Sequence, residues 1–278
     1  MSAASTAQPQ PIAKPAPQRI RNLIAVASGK GGVGKTWFSV TLSHTLARQG
    51  DKTLLIDGDL GLANVDVQLG LTPKHDLAGV IAGTVPLKDA VSQVDGGARS
   101  GRGFDVLAGR SGSGALSSLK PQETQNVIGL IEELAKSYTH VVLDLGAGID
   151  APVRSMCAVA GLVLVVLTDE PTSLTDAYAL TKVLKIRDET TPIEIVVNLA
   201  EGPSQARRTY QALAHACRSF LGQEPNLAGI VRRDKQVKEA IRQQTPLLVR
   251  YPQSPAAHDI EALAIALKNR KSAETSKA

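Results

Sequence analysis

The chain has 278 residues, of which 21% are charged and 43% apolar, with a formal net charge of +5. That length supports one large core or two modest domains; no apolar run approaches a membrane span, and the first residues hold no signal-peptide-like segment. Two well-separated cysteines (Cys157 and Cys217) and five scattered histidines argue against a disulfide framework or a zinc site and suggest a reduced, cytoplasmic setting.

Residues 1–20 are rich in Pro, Ala and Gln and carry little to bury, so they are expected to form a disordered tail. From residue 21 onward, short apolar, β-branched runs alternate with helical stretches. Strands are predicted over 23–27, 53–56, 105–107, 140–143, 162–167, 193–198 and 228–231. Helices are predicted over 37–48, 122–137, 151–159, 173–187, 204–221 and 237–244. Several strands are apolar throughout, as parallel strands covered on both faces must be. The expected fold is α/β: one doubly wound, mostly parallel sheet with helices on both faces, spanning 21–270. A last helix over 256–269 puts Ile260, Leu263, Ala264 and Leu267 on one face and should pack on the core; 271–278 remain as a flexible basic tail.

The most informative segment follows the first strand. Residues 28–36 read Ser-Gly-Lys-Gly-Gly-Val-Gly-Lys-Thr and match the phosphate-loop pattern through Gly29, Gly34, Lys35 and Thr36. Glycines there let backbone N–H groups surround phosphate oxygens at a helix N-terminus, Lys35 can reach the β- and γ-phosphates, and the Thr36 hydroxyl can ligate Mg²⁺. A second lysine, Lys30, is not needed by an ordinary phosphate loop. It can lie along the phosphates, reach a nucleotide held by a second copy of the chain, or stay solvated.

Three strand ends carry polar side chains. Asp57 and Asp59 follow the second strand, where a carboxylate can hold a water-bound Mg²⁺ or orient the water that attacks the γ-phosphate. Asp144 closes an apolar run and is followed by Gly146 and Gly148, an order typical of a Walker-B acid with a switch loop. Asn198 ends another strand, where its amide can read an adenine edge or simply form a turn. Charge is uneven: residues 1–200 hold 18 Lys+Arg against 19 Asp+Glu, and 201–278 hold 13 against 7. Such an excess suits DNA or an anionic membrane, and equally a solvated face.

These motifs, in this order, resemble the MinD/ParA family of deviant Walker-A ATPases. The resemblance runs from about residue 22 to 269. It implies that Gly29, Lys30, Gly31, Gly32, Val33, Gly34, Lys35, Thr36 and Trp37 form the nucleotide loop, with Lys30 contacting phosphate across an ATP-sandwiched homodimer. It further implies that Lys30, Lys35 and Asp59 serve catalysis, with Asp59 positioning water. Thr36, Asp57 and Asp144 would then serve the Mg²⁺ site, Asn198 would recognise the base, and Asp234 would help hold the nucleotide. Residues 57–66, 108–114 and 169–178 look most like the FlhG/FleN branch, MinD-like regulators of flagellar number and placement. The implied partners are therefore a second copy and flagellar regulatory or assembly proteins, with recruitment to the membrane or pole as a weaker implication. Two departures stand out: Trp37 replaces a common second hydroxyl, and Arg232-Arg233 replaces a common Ile-Pro before Asp234. Rival readings on the same fold are a ParA-type DNA-segregation ATPase, an iron–sulfur carrier or reductase, and a metabolic ligase that activates a small acid with ATP.

Overall fold

The computed structural model describes residues 18–59, 61–97, 101–109 and 120–275, with side chains to residue 270. Among the described residues there are eight strands: β1 (Ile20–Ser28), β2 (Thr53–Gly58), β3 (Val91–Val94), β4 (Phe104–Leu107), β5 (His140–Ala147), β6 (Ala160–Leu167), β7 (Ile193–Ala200) and β8 (Asn226–Arg232). The helices are α1 (Lys35–Arg48), α2 (Val65–Leu69), α3 (Leu77–Ile81), α4 (Pro121–Ala135), α5 (Ala151–Val159), α6 (Pro171–Arg187), α7 (Pro203–Leu221), α8 (Lys235–Arg242), α9 (Leu247–Arg250) and α10 (Pro255–Thr275).

The strands form a single sheet in the order β3-β4-β2-β5-β1-β6-β7-β8. Every pairing is parallel except that of β3 with β4. Alternation along each buried strand feeds two apolar layers: Leu23, Ala25 and Ala27 of β1 face one, and Ile24 and Val26 face the other. The first layer is covered by α3 to α7 and the second by α1, α2, α8, α9 and α10. This is the doubly wound sheet expected from the alternating pattern. The chain builds outward from β1 on one side, returns through β5, and completes the other side with β6 to β8. Ligands bind outside the carboxyl ends of strands where the order reverses, which here is beside β1.

α1 lies under the sheet's second layer, and Trp37 through Ala47 are all buried. Its Thr41, Ser43 and Thr45 hydroxyls donate to carbonyls one turn back, at 2.9, 2.8 and 2.8 Å, so these polar groups need no water. α10 buries Ile260, Leu263, Ala264 and Leu267 in the same layer, as the spacing predicts.

Some elements differ from the sequence-based expectation. β1 starts at Ile20, inside the expected tail, and α10 runs to Thr275, past the expected start of the basic tail. β2 and β5 continue past Asp57 and Asp144, because Asp57 pairs with Asp144 and Gly58 with Leu145 across the ladder. β3, α2, α3 and α9 have five residues or fewer, too short to show a period. Residues 110–119, which include 110–114 of the 108–114 segment, lie outside the described residues, as do 1–17 and 276–278.

Candidate functional site

The carboxyl end of β1 runs into the glycine loop, and the loop runs into α1. Gly34 is the residue before the helix, with φ +88°, a left-handed conformation in which a side chain is strained; an added Cβ would also sit 2.6 Å from Asn198 Nδ2. Gly29 is required for a different reason: a Cβ there would lie 2.2 Å from the backbone oxygen of Asp176 on α6. The loop is thus wedged between α6 and β7.

A cavity of about 750 Å³ opens over the N-terminus of α1. Gly31, Gly32, Gly34, Lys35, Thr36 and Trp37 form one wall; Gly58, Asp59, Leu62, Asn64 and Gln68 form a second; Gly146, Asp150, Pro152, Val153 and Met156 form a third. The volume suits a nucleotide-sized ligand. Lys35 is 8% exposed, and burial lowers its pKa against the opposing pull of Asp144 and Asp59.

Behind the loop, Asp57 and Asp144 sit side by side in register on β2 and β5, both almost wholly buried. Asp57 Oδ2 accepts from Asn64 N and Val65 N at 3.0 and 3.1 Å, and Oδ1 from Asp59 N at 3.2 Å. Burial nevertheless pushes its carboxyl up to about 7, and the charge of Asp144 adds to the rise. Asp144 Oδ1 accepts from the Ser39 hydroxyl at 2.9 Å and the carboxylate also interacts with the Thr36 hydroxyl; burial still pushes it up to about 6. Two desolvated carboxyls beside a hydroxyl form a hard-oxygen donor set of the kind Mg²⁺ takes, and a divalent cation there would relieve their mutual repulsion. Asp59 is nearer the cavity, and its Oδ1 accepts from Leu62 N at 3.0 Å. The residues present therefore fit Mg²⁺ and a nucleotide triphosphate: Thr36, Asp57 and Asp144 would hold the cation, and the loop amides with Lys35 would hold phosphate.

Three residues take positions that spacing does not reveal. Lys30 points out of the cavity wall and is held at the start of α6, in an ion pair with Glu170 and a 2.8 Å hydrogen bond to Thr172 Oγ1. Asn198 is 1% exposed and donates from Nδ2 to the Val33 carbonyl at 2.8 Å, so it braces the loop from below; its Oδ1 has no partner among the described residues. Asp234 caps α8 by accepting from Gln236 N at 2.9 Å, while its second oxygen takes Ala256 N at 3.3 Å. Both of its oxygens are thus used by backbone, and neither Asn198 nor Asp234 lines the cavity. Ser39, Glu170 and Thr172 were not singled out from sequence. Only Ser39 left a signal there, one helical turn after Thr36 on α1.

The basic excess of the C-terminal third is partly neutralised. Arg232 makes a two-pronged ion pair with Asp259 that ties β8 to α10, Arg233 pairs with Glu201, and Arg218 with Glu224. Cys157 lies wholly buried in the core layer beneath α5, where burial pushes its thiol up to about 12; it presents no thiolate for a cluster. No helix among the described residues is long and apolar enough to cross a membrane.

Residues 24–247 match the CobQ/CobB/MinD/ParA nucleotide binding domain. The antiactivator FleN of Pseudomonas aeruginosa is 38% identical over 242 residues, 87% of this chain and 84% of FleN. The flagellum site-determining protein YlxH of Helicobacter pylori is 28% identical, covering 87% of this chain and 80% of YlxH. Among solved structures, the Pyrococcus furiosus cell division ATPase MinD superposes with a TM-score of 0.72 at 24% identity, covering 90% of this chain and 99% of that one. MinD of Pyrococcus horikoshii, solved with Mg-ADP, gives 0.70 at 24% identity over 87% and 94% of the two chains. The loop, the buried acid pair and these matches together place the chain in the CobQ/CobB/MinD/ParA family of nucleotide-binding domains.

Proposed function

We propose that this chain is an ATPase that works as a dimerising switch and regulates flagellar number, placement or assembly. The observation that carries the switch is the position of Lys30. A cation inside the phosphate loop but turned out of its own cavity, onto an ion pair with Glu170, is disposed toward a partner rather than toward its own phosphates. Leu62 and Ile149, 71% and 43% exposed, flank the same mouth and would be covered by a second copy. The flagellar assignment is supported by the identity to FleN over most of both chains and by the match to YlxH.

In this reading the loop amides and Lys35 hold the phosphates, and Asp59, at the cavity wall, orients the attacking water. Thr36, Asp57 and Asp144 would hold Mg²⁺, which would supply charge neutralisation at the phosphates. Lys30 reaches phosphate in the partner once its contact with Glu170 opens. No covalent intermediate is needed; positioning and charge stabilisation suffice. The 21–270 segment acts as one ATPase domain.

Light scattering with ATP and Mg²⁺ tests the switch. The expected result is a dimer that forms with ATP, reverts with ADP, and is trapped by Asp59→Ala. A monomer under all three conditions would remove the trans role of Lys30 and return the chain to the metabolic reading. For the flagellar role, the expected result of deleting the gene is a changed number or placement of flagella; unaltered flagellation would refute it.

A further inference from the structure

Among the described residues, two that are not glycine hold left-handed backbone: Leu199 with φ +54° and Gln244 with φ +49°. The spacing predicts a helix through residue 244, but α8 ends at Arg242. Gln244 follows its last turn, where Gln244 N and Thr245 N return to the Ile241 and Ala240 carbonyls at 3.0 and 3.1 Å. That closure takes a left-handed residue, which glycine supplies without strain and glutamine does not. Ending the helix therefore accounts for the conformation and leaves the choice of glutamine unexplained. The side-chain amide supplies the reason: Gln244 Nε2 donates to the Val67 carbonyl at 2.9 Å, near the carboxyl end of α2, where the backbone offers Gly70 N at 3.4 Å. The two turns also press on each other, since a Cβ on Gly70 would sit 3.1 Å from Gln244 Cβ.

We infer that Gln244 is a positioning residue for the nucleotide site: it holds α2 by the carboxyl end, so that the amino end keeps Asp57 in place. α2 has five residues, too few to be stable alone. At its start, Asn64 N and Val65 N donate to Asp57 Oδ2 at 3.0 and 3.1 Å. Asn64 and Gln68 line the cavity, as does Ile241 in the last turn of α8, while Gln244 itself stays outside that wall. One hydrogen bond, between residues 177 apart in sequence, thus fastens the segment that grips Asp57 to the end of α8. The inference rests on the reading of Asp57 as a Mg²⁺ acid and adds to it a residue that acts from a distance.

The test uses the full chain with Gln244→Gly, which suits the left-handed turn, and Gln244→Asn, which tolerates it but is too short to reach Val67. In the nucleotide-free variants, hydrogen exchange at the Asn64 and Val65 amides should quicken roughly twofold to tenfold, as for one hydrogen bond lost. Tm should stay unchanged, or rise in Gln244→Gly as strain is relieved. Calorimetry should find Mg-ADP bound more weakly by a similar factor, and ADP in EDTA bound as by the natural chain, because Asp57 serves the cation. A lower Tm with equal weakening of ADP in the presence and absence of Mg²⁺ would mark a merely structural role and overturn the route through Asp57. Mg-ADP bound as tightly as by the natural chain would show that Gln244 ends α8 and does no more, while the nucleotide reading stands. Absence of ADP binding by the natural chain would overturn the nucleotide reading, and the exchange rates alone would then decide whether Gln244 holds α2.

Discussion

Replacing Asn198 separates two roles that the same strand-end asparagine could hold. The resemblance to MinD/ParA proteins implies a base contact, whereas the structure shows Nδ2 donating to the Val33 carbonyl at 2.8 Å in a 1% exposed position. In Asn198→Ala the Val33 carbonyl loses its partner where water does not reach. An uncompensated buried acceptor costs about 1–3 kcal/mol, which for a domain of this size lowers Tm by roughly 2–12 °C. Without the brace, the loop should also hold its phosphate-facing amides less rigidly, so binding should weaken by a similar factor for ADP and for GDP. The assay is thermal unfolding of the nucleotide-free chain, followed by calorimetry with both diphosphates. An unchanged Tm combined with selective loss of ADP over GDP affinity would refute the bracing argument and assign Asn198 to the base.

Gly29→Ala should abolish nucleotide binding and lower Tm, because its Cβ would meet the Asp176 backbone at 2.2 Å; ADP titration and unfolding read both effects. Glu170→Ala breaks a half-exposed ion pair worth about 0–1 kcal/mol, so Tm should barely change, while ATP-dependent dimerisation should rise as Lys30 is freed. A dimer yield equal to that of the natural chain would show that the ion pair does not restrain Lys30. The pH dependence has a definite sign. Asp57 and Asp144 titrate at about 7 and about 6 when folded and near the ordinary carboxylate value when unfolded, so the folded state binds more protons between about pH 4 and 7. The nucleotide-free protein should therefore lose stability as pH rises through that window, and added Mg²⁺ should offset the loss most strongly near pH 8. A flat Tm profile across the window would contradict the buried acid pair.

Much of the architecture was legible because parallel strands buried on both faces must be apolar throughout, and the chain repeats such runs between amphipathic helices. The phosphate loop was legible because few residue sets allow a tight left-handed turn into a helix while presenting amides to an anion. Short elements were not legible: β3 and α2 have too few residues for a period to show, and they form because β4 offers β3 a partner and α1 and α8 offer α2 an apolar face. The antiparallel edge is likewise a product of the pairing available at Phe104–Leu107.

For the site, residue types and spacing indicated which side chains carry charge and hydroxyls, but not where each one points. Whether Asp57 and Asp144 form a single acidic pair depends on strand register across β2 and β5. Asp234 at the start of α8 is occupied by two backbone amides, one of them from α10, a contact between elements distant in sequence. Asn198 became a brace because β7 carries it beneath Val33, and Lys30 was turned outward because Glu170 lies beside it at the start of α6. Local chemistry sets which groups a chain carries; long-range packing and burial decide which of them find partners among the described residues and which, like the Asn198 Oδ1, do not.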